Sequence, residues 1–222
     1  VQTCALPIYN DYIQYKEQNS AMRKAKKIIK DFNGDTHKTV LFLSYKAENW
    51  NTMDNIYKKY CQEKDIKVIV QCVPYYYKNI DGTFEKYIDG GMYPEYVTIT
   101  PIEDYNYVNE NPDVIVFQYP YDNYNSAGTT DPVFYSYNLA SHTQKLIYIP
   151  YFRTDEIDEN DMRAYTNMDA YVTMPGVVYA DKVIVQSEEI RKLYIKKLTD
   201  FFGEESEDEW EDKIEAEDIG GI

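Results

Sequence analysis

Short apolar runs separated by amphipathic stretches dominate the chain. The runs at 39–44 (TVLFLS), 67–73 (KVIVQCV), 113–118 (DVIVFQ), 145–149 (KLIYI) and 182–186 (KVIVQ) are continuous rather than alternating. Such runs mark strands covered on both faces, as in a parallel sheet. A further short strand is expected at 97–100. Helical spacing predicts helices at 51–62, 102–109, 132–140 and 188–202, the first with Asn51 as N-cap and Asp54 three residues on. Repeated β-α units of this kind imply an α/β fold with one doubly wound, Rossmann-like parallel sheet. Ahead of them, Met22, Ala25, Ile29 and Phe32 recur at helical spacing over 12–32, amid Arg23, Lys24, Lys26, Lys27 and Lys30, and Asn33-Gly34 ends the helix. A basic amphipathic helix can touch an anionic membrane surface. The preferred reading is a packed flanking helix with a solvated face.

Three strands end alike, in Val73-Pro74-Tyr75, Tyr119-Pro120-Tyr121 and Ile149-Pro150-Tyr151. Proline cannot donate to a ladder, so each strand stops there. The tyrosines then fall at the carboxyl edge of the sheet, where open α/β sheets bind ligands. Of 25 tyrosines in the chain, 15 lie between Tyr75 and Tyr151, and a ring with a polar tip suits a half-wet cleft. The candidate binding residues at this edge are Lys46 and Trp50, Tyr75, Tyr121 with Asp122 and Tyr124, Tyr151 with Arg153, and Gln186 with Ser187. Lys46 and Arg153 have the chemistry to hold a phosphate. Ser187 could present helix amides to an anion, but Glu188 and Glu189 in that first turn favour plain capping.

Charge narrows the partners. The 222 residues carry 23 basic and 38 acidic side chains, a net charge of −15, which excludes a general nucleic-acid binder. Ten of the acids fall within 203–222, with Lys213 the one base there. That stretch reads as a solvated acidic tail or linker. Cys61 and Cys72 show no pairing spacing and read as reduced, in a cytosolic protein. With His37 and His142 the only histidines, a zinc site is not expected. The carboxylates of 155–161 (DEIDEND) read as a solvated loop rather than a metal site. No dinucleotide fingerprint, phosphate loop or serine elbow is present, so no cofactor is expected. The longest apolar runs are far short of a membrane span. The first eight residues, VQTCALPI, resemble a translated sequencing adapter and are set aside, Cys4 with them. The expected division is 9–37 as the flanking helix, 38–202 as the Rossmann-like domain and 203–222 as the tail.

From residue 38 to about 214 the chain resembles the CDP-glycerol glycerophosphotransferase family, the teichoic acid polymerases, and most strongly one tyrosine-rich branch of it. The matching strings are VLFLSYKAENW (40–50), VPYYYKNIDGTF (73–84), YPEYVTIT (93–100), EDYNY (103–107), PDVIVFQYPYDNYN (112–125), KLIYIPYF (145–152) and ADKVIVQSEEIRKLYI (180–195). The resemblance implies the N-terminal, acceptor-side half of a GT-B enzyme, with CDP-glycerol held by a C-terminal half beginning near Trp210. The implied reaction transfers glycerol phosphate to a polyol-phosphate or glycan acceptor and releases CMP. Two departures stand out. The family's His-Gly-Thr-Pro motif, whose histidine is the presumed base, is replaced by Pro150-Tyr151-Phe152-Arg153, and EAEDIGGI at 215–222 stands where an apolar strand and Gly-Ser-Pro turn are expected. The base is therefore unassigned, and a non-catalytic glycan- or polyol-phosphate-binding module is the alternative.

Overall fold

A computed structural model describes residues 5–32, 37–89, 91–155, 157–158 and 160–220, with side chains from Tyr12 onward. Helix α1 (Ala5–Phe32) leads into β1 (Lys38–Ser44), α2 (Asn51–Cys61) and β2 (Ile66–Cys72). A hairpin follows, β3 (Tyr75–Lys78) and β4 (Phe84–Tyr87), then α3 (Tyr107–Glu110), β5 (Val114–Phe117) and β6 (Gly128–Thr130). The remainder runs α4 (Ser136–Ser141), β7 (Lys145–Tyr148), α5 (Met162–Asn167), α6 (Asp169–Val172), α7 (Pro175–Tyr179), β8 (Lys182–Val185), α8 (Glu188–Phe202), α9 (Glu207–Lys213) and β9 (Ile214–Ala216).

The main sheet has six parallel strands in the order β2-β1-β5-β7-β8-β9. Its apolar strands send alternate side chains into two cores, one per face. Val40, Phe42, Val70, Val116 and Ile147 pack under α2, against Trp50, Met53 and Ile56. Leu41, Leu43, Ile115, Phe117 and Leu146 pack on the other side, against Leu139, Val177, Leu193 and Leu198 of α4, α7 and α8. The fold is thus a doubly wound, Rossmann-like sheet, as the run pattern requires. The chain leaves β1 for β2 on one side and returns to β5 on the other. The switch point, where ligand crevices open in such sheets, lies between the carboxyl ends of β1 and β5.

Several elements differ from expectation for local reasons. The strand expected at 97–100 reduces to a single bridge, Val70 to Ile99, before Pro101. The helix expected at 102–109 breaks because the Asn106 side chain caps a new start, accepting from the Val108 and Asn109 amides. That at 132–140 breaks at Tyr135, whose backbone is extended. Asn51 is the first helical residue rather than the cap: a short turn over Ala47–Asn49 runs into α2, and Trp50 is already helical. The β3–β4 hairpin turns at Asp81-Gly82, with Gly82 at φ 83° and Asp81 accepting from the Thr83 amide at 3.0 Å. It pairs with β6 in a second, antiparallel sheet.

The acidic stretch is not a solvated tail. Trp210, Ile214 and Ile219 are buried, and β9 joins the sheet beside β8. Its acids meet bases of the body: Lys182 pairs with Glu215 and Lys59 with Glu217. Arg191 donates to the carbonyls of Ile214 (2.7 Å) and Glu211 (2.9 Å). Lys213 is buried, donating to Tyr12 Oη (3.1 Å) and the Val178 carbonyl (2.7 Å). Burial pushes its pKa down to about 8, against the pull of Glu209.

Helix α1 also packs the other way round. Its inward face is aromatic at first, Tyr12 and Tyr15 packing edge-on against Tyr179 at 5.7 and 5.1 Å, and polar beyond: Arg23 pairs with Asp181 (2.8 Å), Lys30 with Asp113 (2.6 Å), and Lys26 donates to the Ser141 carbonyl (3.0 Å). Met22, Ile29 and Phe32, expected to pack, face solvent. The Asn33-Gly34 stop, Cys4, and Glu156 and Glu159 of the acidic loop lie outside the described residues.

One substitution tests the integrated C-terminal stretch. Trp210→Ala should lower unfolding free energy by about 3–5 kcal/mol, the usual cost of a buried large-to-alanine change. A solvated tail would leave the urea midpoint nearly unmoved.

Candidate functional site

The ladder stops at one level for a covalent reason. The Val73 amide donates to Ser44 (2.9 Å) and that of Ile149 to Phe117 (3.0 Å), and proline follows each time. The chain then turns out of the sheet, and the following tyrosines gather. The Tyr45 ring lies 5.0 Å from Tyr75 and 5.1 Å from both Tyr119 and Tyr151. Tyr119 contacts Tyr121 at 5.2 Å, and the hydroxyls of Tyr121 and Tyr151 stand 3.4 Å apart. On the hairpin, Tyr75 contacts Tyr77 (5.4 Å) and Tyr87 (5.1 Å). The result is one continuous row of rings along the carboxyl edge. Behind Tyr121, the Gly176 amide donates to the Pro120 carbonyl at 2.8 Å. A side chain at Gly176 would meet Pro120 Cα at 2.4 Å, so glycine is required for this approach.

A cleft of about 470 Å³ opens beside this row, lined by Lys46, Glu48, Tyr75, Tyr77, Tyr87 and Asp89 among others. That volume suits a small ligand. The Lys46 ammonium lies 5.4 Å from the centroids of both Tyr45 and Tyr75 and 3.5 Å from Glu48. Asp89 accepts from the Ala47 amide (2.5 Å) and the Gly91 amide (3.2 Å), which fixes the loop under Lys46. Burial first, and neighbouring tyrosines second, raise the pKa of Tyr45 and Tyr119. Burial likewise raises Tyr75 and Tyr121, with hydrogen bonds to Tyr77 and Tyr151 adding to it. These phenols stay protonated and serve as hydrogen-bond donors, not bases.

A buried amide secures the crevice. Gln118 Oε1 accepts from the Tyr45 amide (3.0 Å), while Nε2 donates to the Asn49 carbonyl and Thr52 Oγ1, both at 2.9 Å. It ties the ends of β1 and β5 to the start of α2 and thereby places Lys46.

The predicted site residues divide. Lys46 and Tyr75 line the cleft, and Tyr121 and Tyr151 extend the ring row. Tyr124 is exposed at the turn beyond them. Trp50 is a core residue under the sheet, its Nε1 donating to Asp54 at 3.1 Å, because the turn into α2 points it inward. Asp122 is buried with φ 49°, accepting from the Ser136 amide (2.9 Å) and hydroxyl (2.8 Å). Arg153 is engaged by the C-terminal stretch, donating to the Ile219 carbonyl at 2.8 Å. Gln186 pins the Thr154 backbone through both ends of its amide (2.9 and 2.6 Å). Ser187 caps α8, accepting from the Ile190 amide at 3.3 Å. Glu48, Tyr87 and Asp89 were not foreseen; the Asp81-Gly82 turn after the Tyr75–Lys78 strand was the available signal for the returning strand that carries the second of them. His142 sits at the opposite edge, ending α4, with Nδ1 2.8 Å from the Asn138 carbonyl. Among the described residues no cluster of three or more His, Cys, Asp or Glu could hold a metal ion, and no helix is long and apolar enough to cross a membrane.

No family model matches the chain, and neither a curated protein nor a solved structure matches it.

Asp122 supplies a pH test of the turn that carries Tyr121. Burial pushes its pKa up from 3.8 to about 7, with the two Ser136 hydrogen bonds opposing. Between about pH 4 and 7 the native state therefore holds a proton that the unfolded chain has released, and this group's contribution to stability falls as pH rises. The stability of the wild type relative to Asp122→Asn should decline from pH 5 to pH 8 in urea titrations. A constant difference would mean that the carboxyl ionises normally.

Proposed function

We propose that the chain is the acceptor-side half of a GT-B transferase resembling the CDP-glycerol glycerophosphotransferases, and that the Lys46 cleft seats a polyol-phosphate or glycan acceptor. The observation that carries this reading is the position of Lys46. It stands over the Tyr45 and Tyr75 rings, in a ligand-sized cleft between the loop after β1 and the β3–β4 hairpin. The strings that carry the resemblance also supply the cleft: Lys46 and Glu48 lie in VLFLSYKAENW, and Tyr75 and Tyr77 in VPYYYKNIDGTF.

In this reading the acceptor hydroxyl oxygen bonds to the phosphorus of the glycerol phosphate. The bond from that phosphorus to the CMP oxygen breaks, CMP leaves, and the hydroxyl proton passes to a base. Lys46 supports anionic oxygens, and the protonated tyrosines donate to acceptor hydroxyls. CDP-glycerol belongs to a second Rossmann-like half facing this edge. The reading needs no cofactor and no nucleic acid, and it carries a cytoplasmic location at the inner face of the plasma membrane.

A second reading, a non-catalytic binding module, is favoured by the carboxylates. Asp89 is held by two amides and Glu48 is paired with Lys46.

Calorimetric titration with a glycerol-phosphate oligomer tests the site. The wild type should bind, and Lys46→Gln should weaken binding about tenfold or more, the worth of one charge-assisted hydrogen bond. No binding, or equal binding by Lys46→Gln and Tyr77→Ala, overturns the cleft as the acceptor site. CMP release from CDP-glycerol with the same oligomer separates the readings: release supports the transferase, and binding without release supports the module.

A further inference from the structure

The mouth of the Lys46 cleft carries chemistry that an anionic ligand leaves unused. The pairing of β3 with β4 sets Tyr75 opposite Tyr87 and Tyr77 opposite Glu85. Opposed residues share a face of a hairpin, so these four side chains stand on one side of it. Three rings meet there. The Tyr75 centroid lies 5.4 Å from Tyr77 and 5.1 Å from Tyr87, and those two lie 6.3 Å apart. The interplanar angles are 82°, 43° and 65°, so the rings do not stack but meet as the inclined walls of a box. Tyr75 is buried at its back, while Tyr77 and Tyr87 are 42 % and 45 % exposed. The wall already holds one cation, the Lys46 ammonium 5.4 Å from the Tyr75 centroid.

We propose that this mouth is a subsite for a quaternary ammonium group. The cleft then takes a zwitterion, the phosphate ester of a trimethylammonium alcohol, with its phosphate on Lys46, as in the reading above on which this one rests, and its ammonium against Tyr77 and Tyr87. Three observations select this ligand. The first is charge. Among the described residues Lys46 is the one cation lining the cleft, against the carboxylates of Glu48 and Asp89, and Glu85 shares the face of Tyr77. A wholly anionic ligand is repelled wherever it leaves the reach of Lys46, whereas a zwitterion is attracted at both ends. The second is the kind of cation. Asp89 is turned to the Ala47 and Gly91 amides and Glu48 to Lys46, so these carboxylates act as charge rather than as a converging set of acceptors. A primary ammonium has three N–H groups to satisfy. A quaternary one has none, and ring faces hold it. The third is span. The steps from Tyr75, over which Lys46 stands, to Tyr77 and Tyr87 are 5.4 and 5.1 Å. An ester oxygen and two carbons between phosphorus and nitrogen reach about 5 Å at ~1.5 Å per bond.

Calorimetric titration of the full chain with choline phosphate and with glycerol phosphate compares two monoesters that differ in the alcohol. Choline phosphate should bind about tenfold tighter. Tetramethylammonium should compete with choline phosphate and not with glycerol phosphate, a test that needs no variant. Tyr87→Leu should cost choline phosphate about fivefold and glycerol phosphate much less, while Tyr87→Phe, which keeps the ring, should keep the preference. Lys46→Gln should weaken both esters alike. Equal binding of the two esters overturns the ammonium subsite and leaves Lys46 as the phosphate ligand of the acceptor reading. A preference for choline phosphate that Tyr87→Leu does not reduce, in a variant whose melting matches the wild type, also overturns it. Tight choline phosphate indifferent to Lys46→Gln supports the subsite and sinks the reading of Lys46. Binding of neither ester overturns both.

Discussion

The site depends on one buried amide. Where the two halves of the sheet part, the ladder between β1 and β5 ends at Leu43 and Phe117, and the loops beyond them run in different directions. Gln118 meets both needs because an amide accepts and donates at once. It takes the Tyr45 amide and gives to Asn49 and Thr52. A carboxylate could not donate and a hydrocarbon could do neither, and a buried unpaired backbone group costs about 1–3 kcal/mol. The device recurs. Gln71 donates to the carbonyls of Pro101 and Tyr105, and Gln186 holds both backbone groups of Thr154. Gln118 and Gln186 each directly follow a strand, and Gln71 is the last residue but one of β2.

This division of labour explains what the sequence discloses and what it conceals. The strands were legible because burial on both faces leaves continuous apolar runs, and their ends were legible because proline is unambiguous. The carboxyl edge and its tyrosines followed from these two signals, and with them Lys46 and Tyr75. The direction of individual side chains was not legible. Trp50 and Asp122 lie on the right loops but point inward, one because a short turn runs straight into α2, the other because its left-handed backbone places the carboxyl against Ser136. Arg153 was claimed by the Ile219 carbonyl, a contact 66 residues away in the chain.

Charge misled in two places for one reason. Over 203–222 and over α1, dense charge suggested solvent, and in both it is used for attachment. The acids around Trp210 and Ile214 meet Arg191, Lys182 and Lys59 on the body. The bases of α1 meet Asp113 and Asp181 at the amino ends of strands. Complementary charges on distant segments cannot be seen from local composition. The apolar anchors among them, Trp210, Ile214 and Ile219, were the signal that outweighed the charge count.

The two tryptophans fall in different cores. Trp50 lies under α2 with Phe42, Tyr57 and Tyr93 around it, and Trp210 lies on the opposite face against Phe202. Each layer of the molecule thus contains its own fluorophore, shielded from water, Trp50 among tyrosines that can pass excitation to it and Trp210 beneath the Lys213 ammonium. Emission from a chain keeping only one indole reports on one side of the sheet, so the two layers can be watched separately as the protein folds.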